Sequence, residues 1–190
     1  MLYQIVSLLL NVAAGLVSGT CLLRLYMQYL RIPMSARSGN PIGQFVFALT
    51  DWLVLPLRRV VPALGRWDMA SLVAAFLIQL LLYLVLWVFS GMADQFATIA
   101  VLAIFGLARM AISGLTVLVI VYAVLSWVQT RSAISDLLER LIIPLLGPIR
   151  SVVPLIGGVD LSPLVLLLLL QIADIVLGSI QTSVLILVFR

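Results

Sequence analysis

The chain has no histidine, no lysine and one cysteine, and only 9% of its 190 residues are charged. Each shortage closes a class of chemistry. Without histidine there is no Ser-His-Asp triad, no haem ligation through imidazole and none of the usual zinc sites. Cys21 alone cannot form an intrachain disulfide, so cysteine usage says nothing about redox compartment. The seven carboxylates are Asp51, Asp68, Asp94, Asp136, Glu139, Asp160 and Asp174, and no pair has the spacing and setting of a general acid and base. Asp136 and Glu139 stand three apart on an amphipathic stretch and read as a solvated helix face. No glycine loop of the phosphate-cradling kind occurs. The chain therefore reads as non-enzymatic, with no catalytic, cofactor-binding or metal-binding residues and no cofactor.

The shortage of charge has a positive meaning as well. Soluble domains carry about 25% charged residues, whereas 64% of this chain is hydrophobic, which makes it an integral membrane protein. Four stretches are long enough for a hydrocarbon core, which needs about 20 apolar residues: Tyr3 to Tyr26, Ser71 to Phe89, Met110 to Val128 and Pro163 to Val188. The first lacks a positive n-region and a small-residue cleavage site before Arg24, so it is expected to stay as a span rather than leave as a signal peptide. A fifth apolar stretch, Phe96 to Ala108, is short and runs into Arg109. It reads either as an interfacial helix or as an N-terminal extension of the third span.

All eleven basic residues are arginine. Arg31, Arg37, Arg58, Arg59 and Arg66 lie between spans one and two, and Arg131, Arg140 and Arg150 between spans three and four. Positive residues are retained on the cytoplasmic side, so both connections are predicted to be cytoplasmic and both termini periplasmic. Such residues set topology and meet anionic lipid headgroups, at about 1 kcal/mol each near the surface. A lipid bilayer with anionic headgroups is the partner they imply, and no nucleic acid is expected.

The two connections also repeat each other. PLRRVVPALGRWD at Pro56 to Asp68 returns as PIRSVVPLIGGVD at Pro148 to Asp160, a shift of 148 − 56 = 92 positions, and the register holds through Gln79 and Gln171, with eleven of 24 positions identical. Such self-similarity marks an internal duplication. The fold class predicted is an all-α membrane protein: four transmembrane helices from a tandem two-helix repeat, residues 1–95 and 96–190, with amphipathic or re-entrant helical loops on the cytoplasmic side. Two repeats of like orientation imply a symmetry axis along the membrane normal.

Within the repeated loops, Asn40 and Pro41 make a helix start of cap followed by first-turn proline, leading into Phe45, Leu49, Trp52 and Val54. Ile134, Leu137, Leu138, Leu141 and Ile142 recur at helical spacing opposite Ser135, Asp136, Glu139 and Arg140, an amphipathic helix suited to the interface plane. Proline lacks the amide donor and clashes with the preceding turn, so Pro56 is expected to break the first helix and Pro144 and Pro148 the second. The Pro-x-Arg-x-Val-Val-Pro units, Pro56 to Pro62 and Pro148 to Pro154, would then be short helical turns opened by proline. They are either interfacial elbows whose arginines, Arg58, Arg59 and Arg150, reach headgroups or re-entrant elements packed on the spans. Gly65, Gly157 and Gly158 suit turns of positive φ. Asp68 with Ser71, and Asp160 with Ser162 ahead of Pro163, suit helix caps. Salt bridges Arg58–Asp68 and Arg150–Asp160 are the second structural option, and ion coordination by the two aspartates a third.

Polar residues inside the spans are candidates by default: Arg24, Gln79, Gln171 and Asp174. Asp174 is eleven residues beyond Pro163, about 16 Å along a helix and so near mid-bilayer. An Arg24–Asp174 pair, pairing within an oligomer, and an ion path are the alternatives.

These blocks resemble the YggT family of small bacterial inner-membrane proteins, related to the chloroplast YlmG proteins. The family's block, Pro-Leu-Leu-x-Pro-Ile-Arg-Arg-x-x-Pro-x-x-Gly-Gly-x-Asp-x-Ser-Pro, is matched by PLLGPIRSVVPLIGGVDLSP from Pro144 to Pro163 and, more loosely, by LVLPLRRVVPALGRWDMAS from Leu53 to Ser71. Ser126-Trp127-Val128 and the Asn40-Pro41 pair also match. Ser151 replaces the usual second Arg, Ile143 a polar residue and Trp52 a proline. The resemblance implies a multipass protein of the bacterial inner membrane and a link to potassium uptake or osmotic-stress tolerance, with relatives tied to cell division and to nucleoid or thylakoid organisation in plastids. Two functions follow as expectations. One is a membrane scaffold or regulatory partner, in a homo-oligomer or larger complex, whose Arg-bearing loops engage lipids or another protein. The other is an ion-transport component whose repeated loops line or gate a path.

Overall fold

The computed structural model describes residues 1–34, 40–62, 64–90, 96–128, 132–153 and 160–188. Among them are six α-helices: α1 Leu2–Tyr29, α2 Pro41–Arg58, α3 Met69–Ser90, α4 Phe96–Val128, α5 Ala133–Arg150 and α6 Ser162–Val188. Four of these, α1, α3, α4 and α6, are long and apolar enough to cross a membrane. The stretch from Phe96 to Ala108 is the N-terminal part of α4, a continuous helix of 33 residues and about 50 Å at 1.5 Å per residue. No proline interrupts it, and Arg109 is accommodated by pairing with a neighbouring helix, as described below.

The two shorter helices are amphipathic and begin at side-chain caps. The Asn40 carboxamide oxygen accepts from the amides of Ile42 and Gly43 at 3.1 and 3.2 Å, with Pro41 in the first turn, as the Asn-Pro pair predicts. Ser132 caps α5 by accepting from the Ser135 amide at 3.2 Å. On α2, Val46, Thr50 and Val54 are buried at intervals of four, while Phe45, Trp52 and Leu55 face outward. On α5, Leu137, Leu138, Leu141, Ile142 and Leu146 are buried, and Ile134, expected on that face, is exposed.

Contrary to the sequence expectation, proline breaks neither helix. Both run on through Pro56, Pro144 and Pro148, to Arg58 and to Arg150. Each proline removes the bond to the carbonyl four residues earlier, which is that of Trp52, Arg140 or Pro144. All of these residues and the prolines themselves lie on the exposed face, where an unpaired carbonyl can be solvated. The Pro-x-Arg unit is therefore the last turn of a helix and not the first of a new one. Beyond it, in the first copy, Val60 and Val61 both donate to the Leu57 carbonyl, and Gly65 adopts φ +62° in a tight turn closed by reciprocal backbone bonds between Leu64 and Trp67. In the second copy Pro154, Gly157 and Gly158 lie outside the described residues.

Three buried clusters hold the helices together. Cys21 of α1, Val54 of α2 and Ala70, Ala74 and Ala75 of α3 form one. Val119 of α4, Ile142 and Leu146 of α5 and Leu166 of α6 form another. Leu146 and Leu166 stand 92 positions after Val54 and Ala74. The third cluster joins the halves: Met27, Ile32 and Met34 at the end of α1 pack on Leu137, Leu138 and Leu141 of α5, and the Tyr26 hydroxyl donates to the Leu141 carbonyl at 2.7 Å.

The chain leaves α1 by a sharp reversal. Ile32 donates back to Met27 and Arg31 to Gln28, with Arg31 at φ +56°, the position glycine usually takes in this motif. The reversal brings Met34 against α2, where a Cβ on Gly43 would meet the Met34 backbone at 2.8 Å. Gly43→Ala is thus expected to destabilise by about 1–3 kcal/mol through overpacking. Gly114→Ala, with nothing within 4 Å of the added carbon, is expected to hold or raise stability. Thermal unfolding of the two variants in detergent compares them.

Candidate functional site

A charged residue buried beside apolar spans must find its counter-charge inside the protein. Arg24, near the end of α1, is 1% exposed. Its Nη1 donates to Thr50 Oγ1 at 2.6 Å and to Asp51 Oδ1 at 2.7 Å, and its guanidinium carbon lies 4.7 Å from the centroid of the Phe47 ring. Phe47, Thr50 and Asp51 all come from α2, so the cation is wrapped by the inner face of the amphipathic helix. Arg24 Nε makes no hydrogen bond. Asp68 Oδ2 sits 3.9 Å from it, a coulombic contact that draws in the start of α3.

Asp68 is the hinge of this arrangement. It is 3% exposed, and its Oδ2 accepts from Arg58 Nη2 at 2.6 Å and from the Ser71 hydroxyl at 2.7 Å. Two arginines and two aspartates thus form a network of zero net charge across α1, α2 and α3. Burial pushes the Asp68 carboxyl up, but the bonds from Arg58 and Ser71 and the charges of Arg58 and Arg24 outweigh it and hold the group below its ordinary value. Of the readings the sequence left open for Asp68, the salt bridge holds: its carboxylate is taken up by side chains.

The second copy repeats the clamp without the buried cation. Arg150 Nε donates to Asp160 Oδ2 at 2.8 Å, and its Nη2 to the Tyr122 hydroxyl of α4 at 3.0 Å. Asp160 also caps α6, accepting from the Ser162 amide at 2.9 Å, as its place before Ser162 and Pro163 predicts. Partial burial raises the Asp160 carboxyl, yet the bonds from Ser162 and Arg150 leave it below its ordinary value. Ninety-two positions beyond Arg24 and Asp51 stand Thr116 and Ile143. With no buried cation beside it, Asp160 is more open than Asp68, 30% against 3% exposed, while the two arginines are alike at 39% and 40%.

The intramembrane candidates separate. Gln79 is buried and donates to the Ser18 hydroxyl at 3.1 Å, whereas Gln171, its equivalent by sequence, is exposed on α6. The proposed Arg24–Asp174 pair does not form. Asp174 Oδ1 instead accepts from Arg109 Nε at 3.1 Å, because α6 packs chiefly on α4 and α5, while Arg24 faces α2 and α3. Both partners are about half exposed. Arg59 is exposed beyond α2, and Pro56 and Pro148 lie on outward faces. No local sequence pattern singles out Thr50, Asp51, Phe47, Tyr122 or Arg109. Asp51, the only acid in α2, was the available signal. Among the described residues no three carboxylate or thiol side chains gather as metal ligands would.

The fold and these clamps define a small, all-helical, multipass membrane protein. The CCB3/YggT family profile matches residues 3–89 and again 101–181, and the chain belongs to this family. It is 36% identical over 173 residues to a protein of Escherichia coli strain K12 described as uncharacterized protein YggT, covering 87% of this chain and 85% of that one. A Vibrio alginolyticus protein, described as an uncharacterized protein in the proC 3'region, is 35% identical over 162 residues, covering 84% and 85%. A Haemophilus influenzae protein is 30% identical over 153 residues, covering 78% of each. No solved structure matches the chain.

Removing one member of a buried charge pair costs about 3–5 kcal/mol, and a half-exposed pair about 0–1 kcal/mol. Asp68→Asn is therefore expected to unfold the protein at a clearly lower temperature than Asp160→Asn. Because the Asp68 carboxyl is held below its ordinary value of 3.8, its contribution is complete above that value and is lost as pH falls through the lower folded one. Unfolding temperature should drop on acidification below about pH 4, and more shallowly in Asp68→Asn; an unchanged slope would contradict the assignment.

Proposed function

We propose that the chain is a non-enzymatic scaffold or regulatory partner of the bacterial inner membrane, built from a tandem two-helix repeat. The repeated loops would be cytoplasmic and both termini periplasmic. The observation that carries this is how charge is used. Arg24, Arg58 and Arg150 are taken up in clamps that hold the amphipathic helices against the spans. Arg31, Arg59, Arg66 and Arg140 remain exposed. Four outward arginines beside two interfacial helices suit anionic headgroups or the acidic face of a partner complex.

The ion-transport reading draws on one observation, the Arg109–Asp174 pair at mid-depth between α4 and α6. An ion pair half exposed there would line a path or be covered by a second copy of the chain. Against a path inside one copy, the buried polar pair at that depth, Ser18 and Gln79, is closed on itself. A role in potassium homeostasis, osmotic tolerance or cell division fits either reading.

Exposed arginines test the scaffold more cleanly than the clamps, whose loss would unfold the loops. The double variant Arg59→Gln/Arg140→Gln is expected to abolish an osmotic or potassium phenotype at normal membrane abundance, with Asp174→Asn tolerated. Purified protein in proteoliposomes is expected to carry no rubidium tracer flux. Flux that requires Asp174 would replace the scaffold with a transport path.

A further inference from the structure

We infer that the chain holds one anionic glycerophospholipid in a site of its own, running from the turn between α2 and α3 into the cleft between α1 and α4. Two cavities lie there with one residue common to their walls. The first, about 370 Å³, is polar and is lined by Gln28, Arg58, Gly65, Arg66, Trp67 and Asp68. The second, about 350 Å³, is apolar and lies between Leu22, Tyr26 and Tyr29 of α1 and Ala111, Gly114 and Leu118 of α4. Trp67 lines both. Its ring is 4.8 Å from that of Tyr29, so an aromatic pair stands at the junction of polar and apolar space, the place such rings take at a membrane surface.

The polar cavity is suited to an anion. Asp68 is matched by Arg58 at 2.6 Å, and Arg66 has no ion-pair partner among the described residues. One positive charge is therefore left over, beside the second guanidinium and the Gln28 carboxamide. Arginine offers a phosphate several donors in a planar fork. The apolar cleft is suited to an acyl chain. Gly19, Ala111 and Gly114 thin the facing helices, and a Cβ added at Gly114 would meet nothing within 4 Å. From Tyr29 to Gly19 the cleft descends ten residues, about 15 Å, which is one leaflet of a hydrocarbon core about 30 Å thick. A volume of about 350 Å³ spread over that length is too narrow for a helix about 10 Å across. Only a molecule with an anionic head and a long apolar tail fills both cavities at once. This deepens the scaffold reading and rests on it in one respect: the α2–α3 turn must lie at headgroup level.

Native mass spectrometry of the full chain in non-ionic detergent tests this, with added dioleoylphosphatidylglycerol, dioleoylphosphatidylcholine or inorganic phosphate. One phosphatidylglycerol per chain is expected, in preference to phosphatidylcholine. Arg66→Gln, in an exposed turn, should weaken it about fivefold, the worth of one basic residue at an anionic surface. Gly114→Leu, which fills the cleft, should remove the adduct while the unfolding temperature holds. Equal binding of the two lipids with no effect of Arg66→Gln would overturn the proposal, as would a full adduct in Gly114→Leu. Displacement of the lipid by millimolar phosphate alone would reduce the site to an anion pocket and equally sink it. If the adduct fails while the Arg59→Gln/Arg140→Gln variant still loses its phenotype, the lipid site falls and the scaffold reading stands.

Discussion

The burial of one positive charge organises the loop side of this protein. A guanidinium removed from water needs counter-charge and hydrogen-bond acceptors at close range, and Arg24 finds them on two other elements at once. Asp51, Thr50 and Phe47 come from α2, and Asp68 from the start of α3. Arg58 then closes on Asp68 from the end of α2. With its middle and its C-terminal end so held, α2 is fixed against the spans. Its outward face, with Phe45, Trp52 and Leu55, is presented in a defined orientation.

The two halves share a plan and differ in how firmly it is held. Both place an arginine ten residues before an aspartate and close the loop with that pair. In the second half Thr116 and Ile143 stand 92 positions after Arg24 and Asp51, and Tyr122 gives Arg150 its other partner. Compensation comes from the opposite half: α5 rests on the end of α1 through Met27, Leu137 and Leu141. The looser clamp is thus shored up by apolar packing, which in turn makes the two halves one body on this side.

Much of this was legible residue by residue. Apolar length marked all four long helices, and the Asn40-Pro41 pair marked the start of α2. The repeated Arg and Asp, ten apart, allowed the two salt bridges as an option without choosing them over caps; the structure shows Asp160 serving as both. Proline reads as a breaker because its local chemistry opposes a helix. At Pro56, Pro144 and Pro148 the lost bonds fall on an outward face, so the cost is small and packing of the inner face carries the helix on. The Arg24–Asp174 expectation failed for another reason. Depth along a helix can be counted from sequence, but which helix stands opposite cannot, and Arg109 on α4 was the neighbour.

What the sequence by itself determined is what depends on composition and local order: membrane class, the number of long apolar helices, the amphipathic pair and the duplicated block. Those follow from the solvation of side chains and from short-range caps and turns. Only the tertiary structure decided which charges meet, which of two equivalent glutamines is buried, and that Trp67 stands in the walls of two cavities. These depend on helix rotation and on contacts between residues far apart in the chain, and no local pattern specifies either.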